Sequence, residues 1–116
     1  MNVTDKKNLP LEECINNPKE ISSLIEYSSG SVVSKTIIDK KAGTITLFSF
    51  DAGQSLSEHQ APFDAVVQII EGKALITIGG RQNKVSAGQM IIMPANISHS
   101  VKAAEKFKML LIMIRE

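Results

Sequence analysis

The sequence predicts an all-β protein, built as one antiparallel sandwich or barrel. From residue 31 onward, β-branched and aromatic segments recur between turn signals spaced about 8–12 residues apart, which is typical of such folds. Beyond residue 30, no apolar period of about 3.6 residues persists across a window long enough for a helix. The chain has 116 residues, the length of a single domain.

The first 30 residues are predicted to form a separate, partly irregular arm. They are mostly polar, and Asn16-Asn17-Pro18 is a signal that breaks regular structure. Scattered apolar residues, Leu24 among them, indicate a short helical turn or an arm lying on the main body. We therefore assign residues 1–30 to the arm and residues 31–116 to the barrel.

The barrel is expected to contain about eight short strands. The predicted segments are residues 32–38, 44–50, 65–70, 74–78, 82–86, 89–93, 98–103 and 107–114. Between two of them, Gly79-Gly80 is a good hairpin signal, because a two-residue turn of this kind needs positive φ at its centre. Glu71-Gly72 is interpreted in the same way as a break between strands.

Composition and charge argue against several classes of partner. Lys plus Arg is 13 and Asp plus Glu is 12, so the chain lacks the basic excess of a nucleic-acid-binding protein. A small cluster of Lys102, Lys106 and Lys108 is interpreted as a solvated face. No apolar run approaches the ~18 residues of a membrane span, and no secretory signal is visible, so we expect a cytoplasmic protein without a membrane partner. With Cys14 as its single cysteine, the chain forms no intramolecular disulfide.

The chain contains two histidines, His59 and His99, and each follows a turn at the mouth of a predicted strand. Ser98 and Ser100 flank His99, so their side chains project to the opposite face of the strand and cannot act with the imidazole unless the strand has a bulge. No nucleophile motif or phosphate-binding glycine loop is present. The sequence therefore assigns no catalytic residue.

The spacing of glycines around His59 resembles the first motif of the cupins. That motif consists of a glycine, five residues, His-x-His, a short gap, a glutamate, six residues and a second glycine. On this chain it begins at Gly53, places its first histidine at His59 and ends at Gly72. Its second histidine and its glutamate fall on Ala61 and Ala65.

The spacing around His99 is similar to the second cupin motif. The motif's first glycine falls on Gly88, its proline on Pro94 and its histidine on His99, while its asparagine falls on Ala103. Asn96 replaces the turn glycine, and asparagine is the next most tolerant residue of a left-handed backbone. The resemblance covers roughly residues 30–114 and implies a single antiparallel jelly-roll barrel of about eight to ten strands.

The resemblance also implies a reduced metal site. Cupin metals are typically held by three histidines and a glutamate, of which this chain retains His59 and His99. At most one divalent transition metal (Zn, Ni, Fe or Mn) is implied, and another group would have to complete its shell. The candidate side chains are Glu58, Gln60, Asp64 and Gln68.

Two registers of the strand that follows His59 remain open. Simple alternation from His59 directs Ala61, Phe63, Ala65, Val67 and Ile69 inward. A shift of one residue at Pro62 would instead direct the polar candidates Gln60, Asp64 and Gln68 inward.

The predicted pocket is otherwise apolar. Its residues are His59, His99, Ala61, Ala65, Val67, Val101, Met109 and Leu111. We expect a binding module for a small organic ligand, and two imidazoles at its mouth can also hold a carboxylate or a phosphate. The alternatives are a metal-dependent dioxygenase, isomerase or decarboxylase, and an accessory protein whose dimer or surface is the functional part. Small cupins commonly pair, so a homodimer is expected, with the apolar stretch from Ser31 to Ile38 at its interface.

Overall fold

The computed structural model describes residues 9–115. Its strands are β1 (Val32–Lys40), β2 (Gly43–Phe50), β3 (Ser55–His59), β4 (Asp64–Ile78), β5 (Arg81–Ser86), β6 (Met90–Met93), β7 (His99–Lys102) and β8 (Phe107–Ile114). Two short 3-10 turns, Glu12–Cys14 and Ile21–Leu24, precede the strands. Across the described residues, no helix is long and apolar enough to cross a membrane.

The eight strands form one curled antiparallel sheet, which confirms the predicted all-β jelly-roll fold. In one half of the sheet, β1, β2, β8, β4 and β6 are neighbours in that order. In the other half, β4 pairs with β5 and β7, and β7 pairs with β3. The core fills the inside of the curl, where Phe50 and Phe107 stack with their ring centroids 4.4 Å apart.

Strand β4 runs through both halves of the sheet, so the predicted break at Glu71-Gly72 is wrong. The strand has 15 residues, and its pairing with β8 shifts register between Ile69 and Glu71. Gly72 has a φ of +77°, a conformation that bends the strand without ending it. By contrast, Gly79 and Gly80 both have positive φ in the β4–β5 hairpin, as predicted.

Strand β3 is absent from the predicted set of strands. Leu56 is its one large apolar residue and its other four residues are exposed, so the segment lacks the apolar alternation that identifies a strand. The strand forms because its backbone pairs with β7. This pairing places His59 opposite His99.

The described part of the arm, residues 9–30, lies against the outer side of the sheet. The Ser49 hydroxyl donates to the carbonyl of Glu26 at 2.9 Å, and the Lys108 ammonium donates to the carbonyl of Ser22 at 2.6 Å. Lys108 is only 8% exposed, so the interpretation of the lysine cluster as a solvated face is wrong at this position. The arm also reaches the edge strand β1, where the amide of Leu11 donates to the carbonyl of Ile37. The homodimer stays a prediction.

Candidate functional site

A cavity of about 60 Å³ lies inside the curled sheet and contains both histidines. Apart from these two residues, all of its lining side chains are apolar. The lining residues are Leu56, His59, Ala61, Phe63, Ala65, Met93, His99, Val101, Met109, Leu111 and Met113. A wider surface depression of about 460 Å³, beside Lys40 and Arg115, is polar and contains neither histidine.

The structure brings most of the predicted pocket residues to this cavity. Those that line it are His59, His99, Ala61, Ala65, Val101, Met109 and Leu111. Val67 does not line it, because its fully buried side chain belongs to the surrounding core. The predicted pocket omitted Phe63, Met93 and Met113, although Phe63 and Met113 each continue an alternation that contains other lining residues. It also omitted Leu56, which the absence of a predicted β3 concealed.

The four polar side chains considered as further ligands do not line the cavity. Glu58, Gln60, Asp64 and Gln68 are all exposed. The Asp64 carboxylate accepts a hydrogen bond from the amide of Ala95 at 2.8 Å. The strand therefore follows simple alternation from His59, without a shift at Pro62.

The two imidazoles meet at the end of the β3–β7 pair. Their Nε2 atoms are 3.2 Å apart, and the rings are nearly perpendicular, with centroids 4.4 Å apart. His59 is exposed, whereas His99 is only 8% exposed. The pair thus connects the solvent side of the cavity with its apolar interior.

Each ring is held by a carbonyl oxygen two residues earlier in the chain. The Nδ1 atom of His59 lies 3.0 Å from the carbonyl oxygen of Ser57. The Nδ1 atom of His99 lies 3.3 Å from the carbonyl oxygen of Ile97. Both rings consequently present Nε2 to each other.

The turn before β7 sets the position of His99. Asn96 has a φ of +65°, which confirms the left-handed conformation expected where the cupin motif has glycine. The amide of Asn96 donates to the carbonyl of Ala61 at 2.7 Å. This bond joins the turn to the segment that follows His59.

Burial lowers the pKa of His99 below its ordinary value of 6.5, and repulsion from a charged His59 lowers it further. The unfolded chain therefore binds a proton more readily than the folded protein does at this residue. We expect the unfolding free energy to be insensitive to this group above about pH 7 and to fall as the pH decreases toward about pH 5. Urea unfolding across this range measures the slope of the unfolding free energy against pH, and this slope should be shallower in His99→Gln. Stability that rises on acidification would contradict the prediction and would indicate a proton shared by the two rings.

The histidine pair meets part of the requirement for a metal site. Metal-bound imidazoles usually donate their other nitrogen to a carbonyl or a carboxylate, as these Nδ1 atoms are placed to do. Zinc sites, however, use three or four protein ligands. Between residues 9 and 115, no group of three His, Cys, Asp or Glu side chains is assembled in a way that could hold a metal. The described residues alone therefore do not fit a resident metal.

Comparison with known proteins decides the family. The model of the cupin domain family matches residues 46–115, more than half of the chain. The protein belongs to the cupin family. The motif residues Gly88, Pro94 and His99 all lie within the matched region of this cupin.

Solved structures similar to this cupin include two at the same TM-score of 0.83. A conserved protein of unknown function from Streptococcus pyogenes is 35% identical, over 86% of this chain and 88% of that one. A cupin superfamily protein from Desulfitobacterium hafniense is 30% identical, over 86% of this chain and 92% of that one. An uncharacterized protein from Streptomyces coelicolor is 30% identical over 56 residues, which are 48% of this chain. The match spans about half (53%) of the length of that curated relative.

Proposed function

We propose that this cupin binds a small organic molecule, with an apolar part inside the curled sheet and a polar group on the histidine pair. The observation that carries the proposal is the composition of the cavity, whose wall is apolar everywhere except at His59 and His99. Ligand sites commonly combine an apolar wall with a few polar groups that orient the ligand.

The size of the cavity limits the part of the ligand that it can hold. A volume of about 60 Å³ is well below the roughly 150 Å³ of a cavity that accepts benzene. The buried part of the ligand is therefore a short aliphatic group, and any larger part extends past the exposed His59. Met93, Met109 and Met113 line the cavity, and their flexible side chains can adjust to such a group.

The binding prediction can be tested with three probes that share one short carbon skeleton: isobutanol, isobutyrate and isobutyl methyl ether. We expect at least one probe to shift the methyl resonances of Met93, Met109 and Met113 in ¹³C-methyl NMR spectra. Met90 is 58% exposed and does not line the cavity, so its methyl resonance serves as an internal control.

A matched pair of variants locates the binding. Ala61→Leu should reduce the affinity at least about tenfold by filling the cavity, a difference of about 1.4 kcal/mol. Ala52→Leu adds the same side chain at an exposed turn and should leave the affinity unchanged. Failure of all three probes to shift the lining methionines would refute the proposal.

A metal-dependent enzyme of the dioxygenase, isomerase or decarboxylase type is the second candidate. It is favoured by one observation, the convergence of two Nε2 atoms whose rings are held through Nδ1. Because the described residues supply two ligands, water or the substrate would have to complete the shell. Elemental analysis of protein purified without a polyhistidine tag tests this candidate. A content of nearly one transition metal per chain, lost in the His59→Ala, His99→Ala double variant, would make the metal-dependent enzyme the leading candidate.

A further inference from the structure

The hydrogen bonds of the two imidazoles define which polar group the pair can accept. A backbone carbonyl oxygen only accepts hydrogen bonds, so a bond from each Nδ1 to its carbonyl requires the hydrogen to be on Nδ1. A neutral imidazole has a single N–H group. In that tautomer both Nε2 atoms are unprotonated, and they form two acceptors 3.2 Å apart.

Two acceptors at this distance cannot bond to each other, and each needs a donor from another group. An anionic ligand would bring further lone pairs toward them and would be repelled. An ether oxygen would likewise leave both nitrogens without a partner. A hydroxyl group offers one hydrogen that either nitrogen can accept, or that both can share.

The surroundings of the pair favour a neutral donor over a charged one. The lining of the cavity is otherwise apolar, and His99 is almost completely buried in it. Transfer of an ammonium group into such a site would carry a large desolvation cost. The buried position of His99 also lowers its pKa, which favours the neutral form of this ring.

We infer that this cupin selects ligands with a neutral hydroxyl group on a short aliphatic body and rejects the corresponding carboxylates. The inference rests on the proposed function and names the chemical class of its ligand. This ligand class differs from the carboxylate or phosphate expected from the sequence, because two imidazoles bind an anion only when they offer N–H groups to it.

The first test measures the tautomers directly at pH 8 in the ligand-free protein. Because the chain has two histidines, long-range ¹H–¹⁵N spectra of untagged protein contain two imidazole patterns. We expect Nδ1 to be protonated and Nε2 unprotonated in both rings. A proton on Nε2 of either ring would overturn the inference and leave the proposed binding function intact.

The second test ranks the three isobutyl probes at the same pH. Isobutanol should bind at least about tenfold more tightly than isobutyrate or the methyl ether, and the preference over the ether should disappear in the His59→Leu, His99→Leu double variant. Equal or tighter binding of isobutyrate would overturn the inferred preference for a hydroxyl group and leave the proposed binding function intact. If no probe shifts the lining methionines, the proposed function fails and the inference fails with it, even when the tautomers are as expected.

Discussion

Replacement of Gly72 by alanine is expected to destabilise the protein by about 3 kcal/mol or more. The residue has a φ of +77°, which alanine adopts only with strain. A Cβ atom here would also lie 2.2 Å from the carbonyl oxygen of Lys106 and 3.0 Å from the Cα atom of Phe107. Since both contacts include backbone atoms, the β4–β8 pairing would have to move to admit the methyl group.

Gly88→Ala is the matched control for this variant. Gly88 has a φ of +89°, but a Cβ atom there would meet nothing within 4 Å. Replacement of Gly88 by alanine should therefore lower the unfolding free energy by about 1 kcal/mol, because it introduces the backbone strain but no steric clash. Urea unfolding of both variants, compared at equal m-values, measures the difference. Equal losses in the two variants would show that the close approach to Lys106 contributes little.

Gly72 also connects the fold to the cavity. The first part of β4 contributes Ala65 to the cavity wall. The second part pairs with β7 and places Ile78 beside His99. The bend at Gly72 therefore sets the angle between the apolar wall and the histidine pair. If Gly72→Ala folds, we expect its cavity to be altered as well.

The sequence contains most of the information that positions the histidines. The glycine spacing around Gly53 and Gly88 predicts the family and the fold, and Asn96 adopts the backbone conformation that its place in the motif requires. Alternation along β4 predicts that Ala65 faces the cavity. These features are local, so neighbouring residues in the chain reveal them.

Other features depend on contacts between distant segments, which local patterns do not show. Strand β3 forms through backbone pairing with β7, despite its polar composition. Val67 follows the predicted alternation, but it lies too deep in the core to reach the cavity. Glu71-Gly72 has the residue types of a turn, but the backbone at Gly72 pairs as part of a continuous strand. In each case the deciding interaction joins residues that are far apart in sequence.

Lys108 is a further example, and its replacement by alanine is expected to destabilise the protein by about 2 kcal/mol. The ammonium donates to the carbonyl of Ser22 at 2.6 Å and lies 3.9 Å from the Glu71 carboxylate. It also lies 4.9 Å from the centroid of the Tyr27 ring, and the Tyr27 hydroxyl donates to Glu71 at 2.6 Å. Removal of the ammonium group would break the bond to the arm and leave the carbonyl of Ser22, in a part-buried position, without this donor.

Lys102→Ala is the control for Lys108→Ala, because Lys102 is exposed and its loss should change stability by less than about 0.5 kcal/mol. Hydrogen exchange should accelerate in Lys108→Ala at the amide of Ser23, which bonds to the carbonyl of Glu20 inside the arm. Probe binding should be unchanged, because alternation along β8 directs Lys108 toward the arm and Met109 toward the cavity. If Lys108→Ala lost both probe binding and the protection of the arm against hydrogen exchange, the arm and the cavity would be energetically coupled.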